Sequence, residues 1–283
     1  MIKKIPLSVL FYFFYSLNTF CQDSVRIKAN HYISLQTGYS MHYVQDEVIS
    51  PLVYKGGQFP IFLKFQLLGN NSYQQVSIFY DYLQLSSSIT SNFPSPSFYT
   101  QNTNVFFEYS YLRNIYKIPA RKIKLFAGGT FNTLINYRDH FYGGGGDVVD
   151  YPYGEFITSI GVSFMIIKRF NSLYDNFISF RVDMPLLEYD FWNYLYNANV
   201  PKDFVSTNAN DNTVTALMLS GKPVTINQYF DFQGYMSYSI FANKHIGFEI
   251  SYYFQYYNSE KVKGVSYTRY LNYQFLGGLI LKI

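Results

Sequence analysis

Charge is scarce in this chain of 283 residues: Asp, Glu, Lys and Arg make up 14%, against about 25% in ordinary soluble proteins. Cysteine is nearly absent, with Cys21 alone, and Trp192 is the single tryptophan. Beyond residue 21 no apolar run approaches the ~18 residues that a spanning helix requires. Each scarcity excludes something. A helical membrane bundle lacks its spans, and a disulfide framework lacks its cysteines. Disorder needs low hydrophobicity with high net charge, whereas 48% of residues here are hydrophobic and the formal net charge is +4. So small and dispersed a charge also speaks against a nucleic-acid partner. What the chain has in excess is aromatic rings, with 31 Tyr and 28 Phe.

The amino end reads as a targeting segment. Lys3 and Lys4 precede an apolar stretch from Ile5 to Phe20, and Thr19 and Cys21 occupy the small-residue positions ahead of Gln22. This is the pattern of a signal peptide over residues 1–21 cleaved before Gln22. An uncleaved anchor and a lipidated Cys21 are the alternatives. Cleavage would leave a chain, 22–283, with no cysteine and a net charge of +2, since only Lys3 and Lys4 are lost from +4.

The remainder alternates with period two. Ile33, Leu35, Tyr39, Met41 and Tyr43 interleave with Ser34, Gln36, Gly38, Ser40 and His42; Ile246, Phe248, Ile250, Tyr252, Phe254 and Tyr256 interleave with Gly247, Glu249, Ser251, Tyr253 and Gln255. Strand side chains point to opposite faces in turn, so each segment has one apolar and one polar side. Ten such segments occur, near 31–43, 60–69, 74–87, 103–116, 122–138, 154–169, 176–187, 226–241, 245–258 and 267–283. Most exceed the ~5–6 residues typical of globular strands and match the ~9–11 needed to cross a bilayer at a tilt. The links between them alternate in length. Short ones (70–73, 117–121, 170–175, 242–244) separate longer ones (44–59, 88–102, 139–153, 188–225), with 259–266 of medium length. That parity predicts an all-β fold: a transmembrane, antiparallel, up-and-down β-barrel of about ten strands, with long extracellular loops, notably 139–153 and 188–225. Both chain ends then fall on the short-turn, periplasmic side.

The last strand resembles a known signal. Tyr273, Phe275, Leu279, Leu281 and Ile283 share one face and end the chain on an apolar residue. This is similar to the carboxyl-terminal insertion signal of bacterial outer-membrane barrels. The resemblance implies an outer-membrane location, lipid contact along the outward faces, and recognition of the last strand by the barrel assembly machinery. The Phe-Cys-Gln signal-peptide end and the abundance of Tyr and Asn are similar to secreted proteins of Bacteroidota. The resemblance names an architecture and no specific family.

With the apolar faces outward, the inward set includes a polar network of Lys64, Glu108, Lys124, Arg138, Glu155, Arg181, Asp183, Asp231 and Glu249, with Asp81 beside them. Charges enclosed in a barrel of ten strands must pair, because an isolated buried charge is costly. A barrel of this size lies near the side-chain-filled end of the range. A plugged polar lumen is therefore the first reading, and a narrow channel for small polar solutes the alternative. The third reading is a hydrolase with a rim site at His140 beside Asp139, since ten-stranded barrels include the omptin proteases. No nucleophile–base–orienter set can be picked out, so the chain is read as non-enzymatic. No metal site and no cofactor are expected. Phe191, Trp192, Tyr194 and Tyr196 in the 188–225 link are candidates for binding an extracellular glycan or protein. Basic residues (Lys117, Arg121, Lys122, Lys168, Arg169, Lys244) gather at the opposite rim, where anionic lipid headgroups are expected.

Overall fold

The computed structural model describes residues 29–47, 50–87, 98–144, 147–170, 173–194, 222–262 and 266–283. Residues 1–21, read as a signal peptide, lie outside them. The strands are β1 (Asn30–Asp46), β2 (Ser50–Gln58), β3 (Ile61–Leu68), β4 (Ser72–Ser87), β5 (Phe98–Ile118), β6 (Ile123–Gly144), β7 (Asp147–Arg169), β8 (Phe177–Tyr194), β9 (Lys222–Thr225), β10 (Tyr229–Phe241), β11 (Ile246–Val262) and β12 (Ser266–Lys282). One 3-10 turn, Pro119–Arg121, joins β5 to β6. All paired strands are antiparallel, and apart from β2–β3 and β9–β10 consecutive strands pair with each other.

Twelve strands make ten staves. β2 and β3 lie end to end between β1 and β4, as do β9 and β10 beside β8. The first break falls at Phe59–Pro60, where proline has no N–H for the ladder; the Pro60 carbonyl accepts from Thr37 Oγ1 at 2.8 Å instead. The ring closes where β12 pairs β1 from Tyr32↔Lys282 to Asp46↔Thr268. Closure leaves the ring of staves without a first or last edge strand. The ten expected segments correspond to the ten staves.

The short links are turns, and both described chain ends lie beside them; this is called the terminus end. At the far end the strands run longer than the alternation suggested. Segment 44–59, read as a loop, is mostly strand: β1 continues to Asp46 and β2 starts at Ser50. Segment 139–153 is likewise a pair of strand arms, β6 reaching Gly144 and β7 starting at Asp147. β8 extends to Tyr194 and β9 begins at Lys222, so both ends of 188–225 are strand, and residues 195–221 lie outside the described set. Backbone pairing continues in these arms because alternate residues there still suit a strand, and a hairpin satisfies N–H and C=O groups that a loop would leave to water.

Alternation sorts the two faces. Leu35, Phe248, Ile250, Phe275 and Leu279 are exposed on the outside, while Ser34, Gln36, Glu249, Ser251 and Gln274 are buried inside. The exterior is thus a continuous apolar belt. The interior, however, is not uniformly polar. Nearest the terminus end, the inward residues of successive staves are Tyr32, Leu68, Tyr73, Leu112, Phe126, Ile167, Phe177, Phe241 and Ile280, which pack into one buried cluster. A second inward cluster, around Phe62, Phe79, Phe106, Tyr235 and Leu276, lies midway. A third, with Val44, Leu83, Leu85, Ile157, Tyr229 and Tyr270, lies towards the far end.

Candidate functional site

Polar groups fill the spaces between these apolar layers. Lys64 on β3 places its ammonium 2.6 Å from Glu249 Oε1 on β11 and donates to the Tyr235 hydroxyl at 2.7 Å. The other Glu249 oxygen accepts from Gln36 Nε2 at 2.8 Å, and Gln36 in turn accepts from the Ser251 hydroxyl. Across the lumen, Arg181 on β8 pairs with Glu108 on β5 and, at 2.9 Å, with Asp183 two residues along its own strand. Glu108 also accepts from Gln75 and Ser110, each at 2.9 Å. Nearer the far end Arg138 bridges Asp46 at 3.2 Å and Glu155 at 2.9 Å. Glu249, Glu108, Asp46 and Glu155 each accept a charge-assisted hydrogen bond, and Asp183 lies at ion-pair distance from Arg181 Nε; pairing of this kind is what makes a buried charge tolerable.

Two of the residues read as network members sit differently. Lys124 has the inward parity but lies at the terminus rim, 3.3 Å from Asn70 Oδ1 and 3.4 Å from the Gly69 carbonyl, so it joins no lumen ion pair. Parity specifies a face and not a height, which is why the sequence reading included it. Asp231 is buried and held by side-chain amides, with Gln233 Nε2 at 2.9 Å and Gln255 Nε2 at 3.3 Å.

The structure adds groups that the sequence reading missed. Asp46, Glu188 and Asp190 are buried inward acids; they fell in segments taken for loops, although alternation runs straight through them. His42, on the polar face of the first segment, is fully buried in the lumen. Its Nε2 lies 3.0 Å from Asp81 Oδ2, and its Nδ1 meets the Tyr270 hydroxyl. Ser40 Oγ approaches the same Nε2 at 3.2 Å. In a serine–histidine–acid triad the hydroxyl and the carboxylate take opposite ring nitrogens. Here they compete for one, and a tyrosine holds the other. In all, nine buried carboxylates accompany Lys64, Arg138 and Arg181 as the buried Lys and Arg side chains among the described residues.

A cavity bounded by Phe62, Phe79, Phe106, Tyr235, Asn272 and Gln274 measures about 30 Å³ at water centres. Two others, beside Arg138 and beside Asp231, measure about 10 and 20 Å³. One water needs ~10–15 Å³ on that measure, so each of these spaces has room for water.

No protein-family model matches the sequence. No curated protein matches it either. Among solved structures, the outer membrane protease OmpT of Escherichia coli superposes with a TM-score of 0.54 at 9% identity, over 92% of this chain and 99% of that one. The translocator domain of the autotransporter NalP of Neisseria meningitidis matches with a TM-score of 0.40 at 8% identity, over 98% of this chain and 96% of that one. This is the fold of the bacterial outer-membrane β-barrels. At such identities the likeness extends to the fold and not to an activity.

The rim candidates of the barrel lie on strands and not on a loop. Asp139 is half-buried on β6, its backbone paired with Gln101 and Pro152. His140 follows it, opposite Thr100 and Tyr151 in backbone register, and its side chain lies outside the described set. Phe191, Trp192 and Tyr194 belong to the end of β8, with backbones opposite Phe156, Glu155 and Tyr153; Tyr196 lies outside the described residues.

At the terminus end a further cluster ties the seam to the opposite wall. Asp175, in the β7–β8 turn, lies 2.8 Å from Lys282 Nζ and 3.5 Å from Arg169 Nε, and accepts from Asn30 Nδ2 at 3.1 Å and from the Tyr32 hydroxyl. Burial works to raise the Asp175 carboxyl. The hydrogen bonds from Lys282 and Tyr32 and the charges of Arg169 and Lys282 outweigh it and hold the group below the usual carboxylate range. A depressed folded-state pKa contributes stability that is present above the unfolded value of about 4 and lost as pH falls through the lower folded value. Asp175→Asn is therefore expected to lower the thermal midpoint at pH 7, with the gap from the unaltered protein closing towards pH 2. A gap of the same size at both pH values would contradict the assignment.

Proposed function

We propose that the chain is an integral outer-membrane barrel whose lumen is plugged by its own side chains, with the termini at the periplasmic face and the far end at the cell surface. The observation that carries this reading is the buried layer at the terminus end, where Tyr32, Leu112, Phe126, Phe177, Phe241 and Ile280 come together across the floor of the ring. Ion-paired layers above it supply a second closure. A filled lumen leaves the surface end, with its strand arms and the 195–221 segment, to serve binding or a structural role, and an extracellular glycan or protein is the class of partner that aromatic segments of this kind suit. Passage of the last strand to the barrel assembly machinery is part of the same proposal; Phe275, Leu279, Leu281 and Ile283 are exposed on its outward row.

Planar-bilayer recording tests the plug. The purified barrel is expected to show no discrete conductance steps, and reproducible single-channel openings would establish the solute-channel reading in its place. The lipid-facing assignment has its own test. Ile250, 52% exposed on the outward row of β11, should tolerate Leu, whereas Ile250→Arg is expected to cost about 2–4 kcal/mol in bilayer-refolding titrations. An Arg variant as stable as the Leu variant would place that row away from lipid.

A further inference from the structure

Asp231, on β10, is a buried acid held without a base. It accepts from Gln233 Nε2 at 2.9 Å and from Gln255 Nε2 at 3.3 Å. Among the described residues no Lys, Arg or His comes within ion-pair distance of it. Asp183 is paired with Gln233 across the β8–β10 ladder and shares Arg181 with Glu108. Glu108, Asp183 and Asp231 thus set three carboxyl groups against one guanidinium.

Gln233 gives its Nε2 to Asp231, which leaves Gln233 Oε1 and Asp183 Oδ1 buried with no donor among the described side chains. The two acceptors sit on directly opposed inward residues, whose Cβ atoms in a sheet lie about 5 Å apart. Acceptors buried in this way are costly unless a donor or a positive charge serves them. Beside Asp231 and Gln233 is the cavity of about 20 Å³, which Asn132 and Ser159 also line. Those two are cross-strand partners on β6 and β7. Asn132 Oδ1 accepts from Thr130 Oγ1 at 3.2 Å, and its buried Nδ2 has no acceptor. A threonine hydroxyl accepts as well as donates, so the Asn132 amide can turn its oxygen to the cavity and keep the Thr130 bond.

We infer that this cavity binds one hard divalent cation of calcium's class, held by the Asp231 carboxylate, the amide oxygens of Gln233 and Asn132 and the Ser159 hydroxyl. Each Asp231 oxygen keeps a lone pair beside the amide bonds it accepts. Carboxylate, amide and hydroxyl oxygens are the donors that calcium takes, with waters completing its ~6–8 positions. The ion offsets the negative charge that Arg181 leaves over, and it ties β6 and β7 to β10 across the lumen. The site lies inside the ring, so the inference holds whichever end faces the cell surface.

Equilibrium dialysis of the folded, EDTA-stripped protein in detergent against radioactive calcium tests it. One ion per barrel is expected, with a Kd below about 10⁻³ M. Asp231→Asn should weaken binding about tenfold or more, and Asn132→Asp, which adds a carboxylate to the other wall, should tighten it about tenfold, because affinity follows ligand charge. Asp175→Asn, at the terminus end, should leave it unchanged. Absence of bound calcium overturns the site. So does binding that neither lumen variant alters, which would put the ion on surface acids. Magnesium competing as well as calcium overturns the class of ion, since magnesium demands a near-ideal octahedron. Heat-modifiable gel migration reports folding in each variant; where Asp231→Asn fails to fold, Asn132→Asp decides, and calcium affinity that does not rise in it overturns the site.

Discussion

Gly278→Ala is expected to prevent the barrel from closing. Gly278 lies on β12 at the seam with β1, opposite Gln36. A Cβ there would stand 1.9 Å from the Leu35 carbonyl oxygen and 2.6 Å from the Gln36 Cα. Both obstacles are backbone, so no rotamer change relieves the clash and the two strands must part. The cost should exceed the ~1–3 kcal/mol usual for an overpacked core, since several ladder hydrogen bonds go with it and the seam is the one pairing on which closure depends. Gly234→Ala is the control, because a Cβ at Gly234 meets nothing within 4 Å. On gels the control should keep the heat-modifiable shift, and Gly278→Ala should lose it together with resistance to added protease. A Gly278→Ala protein that migrates and resists like the control would show that the seam is looser than described.

The second large effect is expected at Lys64. Lys64→Met leaves Glu249 fully buried, with Gln36 as its remaining hydrogen-bond donor among the contacts described above. Breaking a buried pair from one side typically costs about 3–5 kcal/mol, whereas replacing both partners with apolar residues is often nearly neutral. The double variant Lys64→Met/Glu249→Leu is therefore expected to recover most of the loss in urea titrations of the liposome-inserted protein. Equal losses in the single and double variants would mean that packing and not charge pairing sets the cost. Because Lys64 also donates to Tyr235, some loss should persist in the double variant.

Much of the architecture was legible in residue order, for a physical reason. A strand with unlike faces must alternate, and ten alternating segments with links of alternating length admit few arrangements besides an antiparallel ring. Segments such as 245–258 show this directly: Phe248 and Ile250 turned out to be exposed, and Glu249 and Ser251 buried. The strand arms at 44–46, 139–144 and 188–194 were not recognised, because link length was judged from where apolar alternation weakens, and hydrogen bonding continues past that point. Phe62, Phe79 and Phe106 were the larger omission. Alternation distinguishes two faces without saying what covers each, and in a closed barrel the inward face is itself a core that takes apolar residues. Ser251 illustrates the consequence. Its inward position would suit an Arg if the lumen were wet, yet the hydroxyl is buried against Gln36, so a large side chain there has no room.

By itself, then, the order of residues indicated about ten staves, the facing of each row and the scarcity of charge, since half of every strand must meet an apolar surround. The ion pairs were decided by tertiary structure alone. Lys64 and Glu249 are separated by 185 positions, and nothing local records that closure of the ring brings β3 and β11 across one lumen. Height along the barrel was decided there too: it leaves Lys124 at the rim and Arg138 among acids, though both share one face of β6, and it stacks the inward apolar residues into layers that fill the space between the charges.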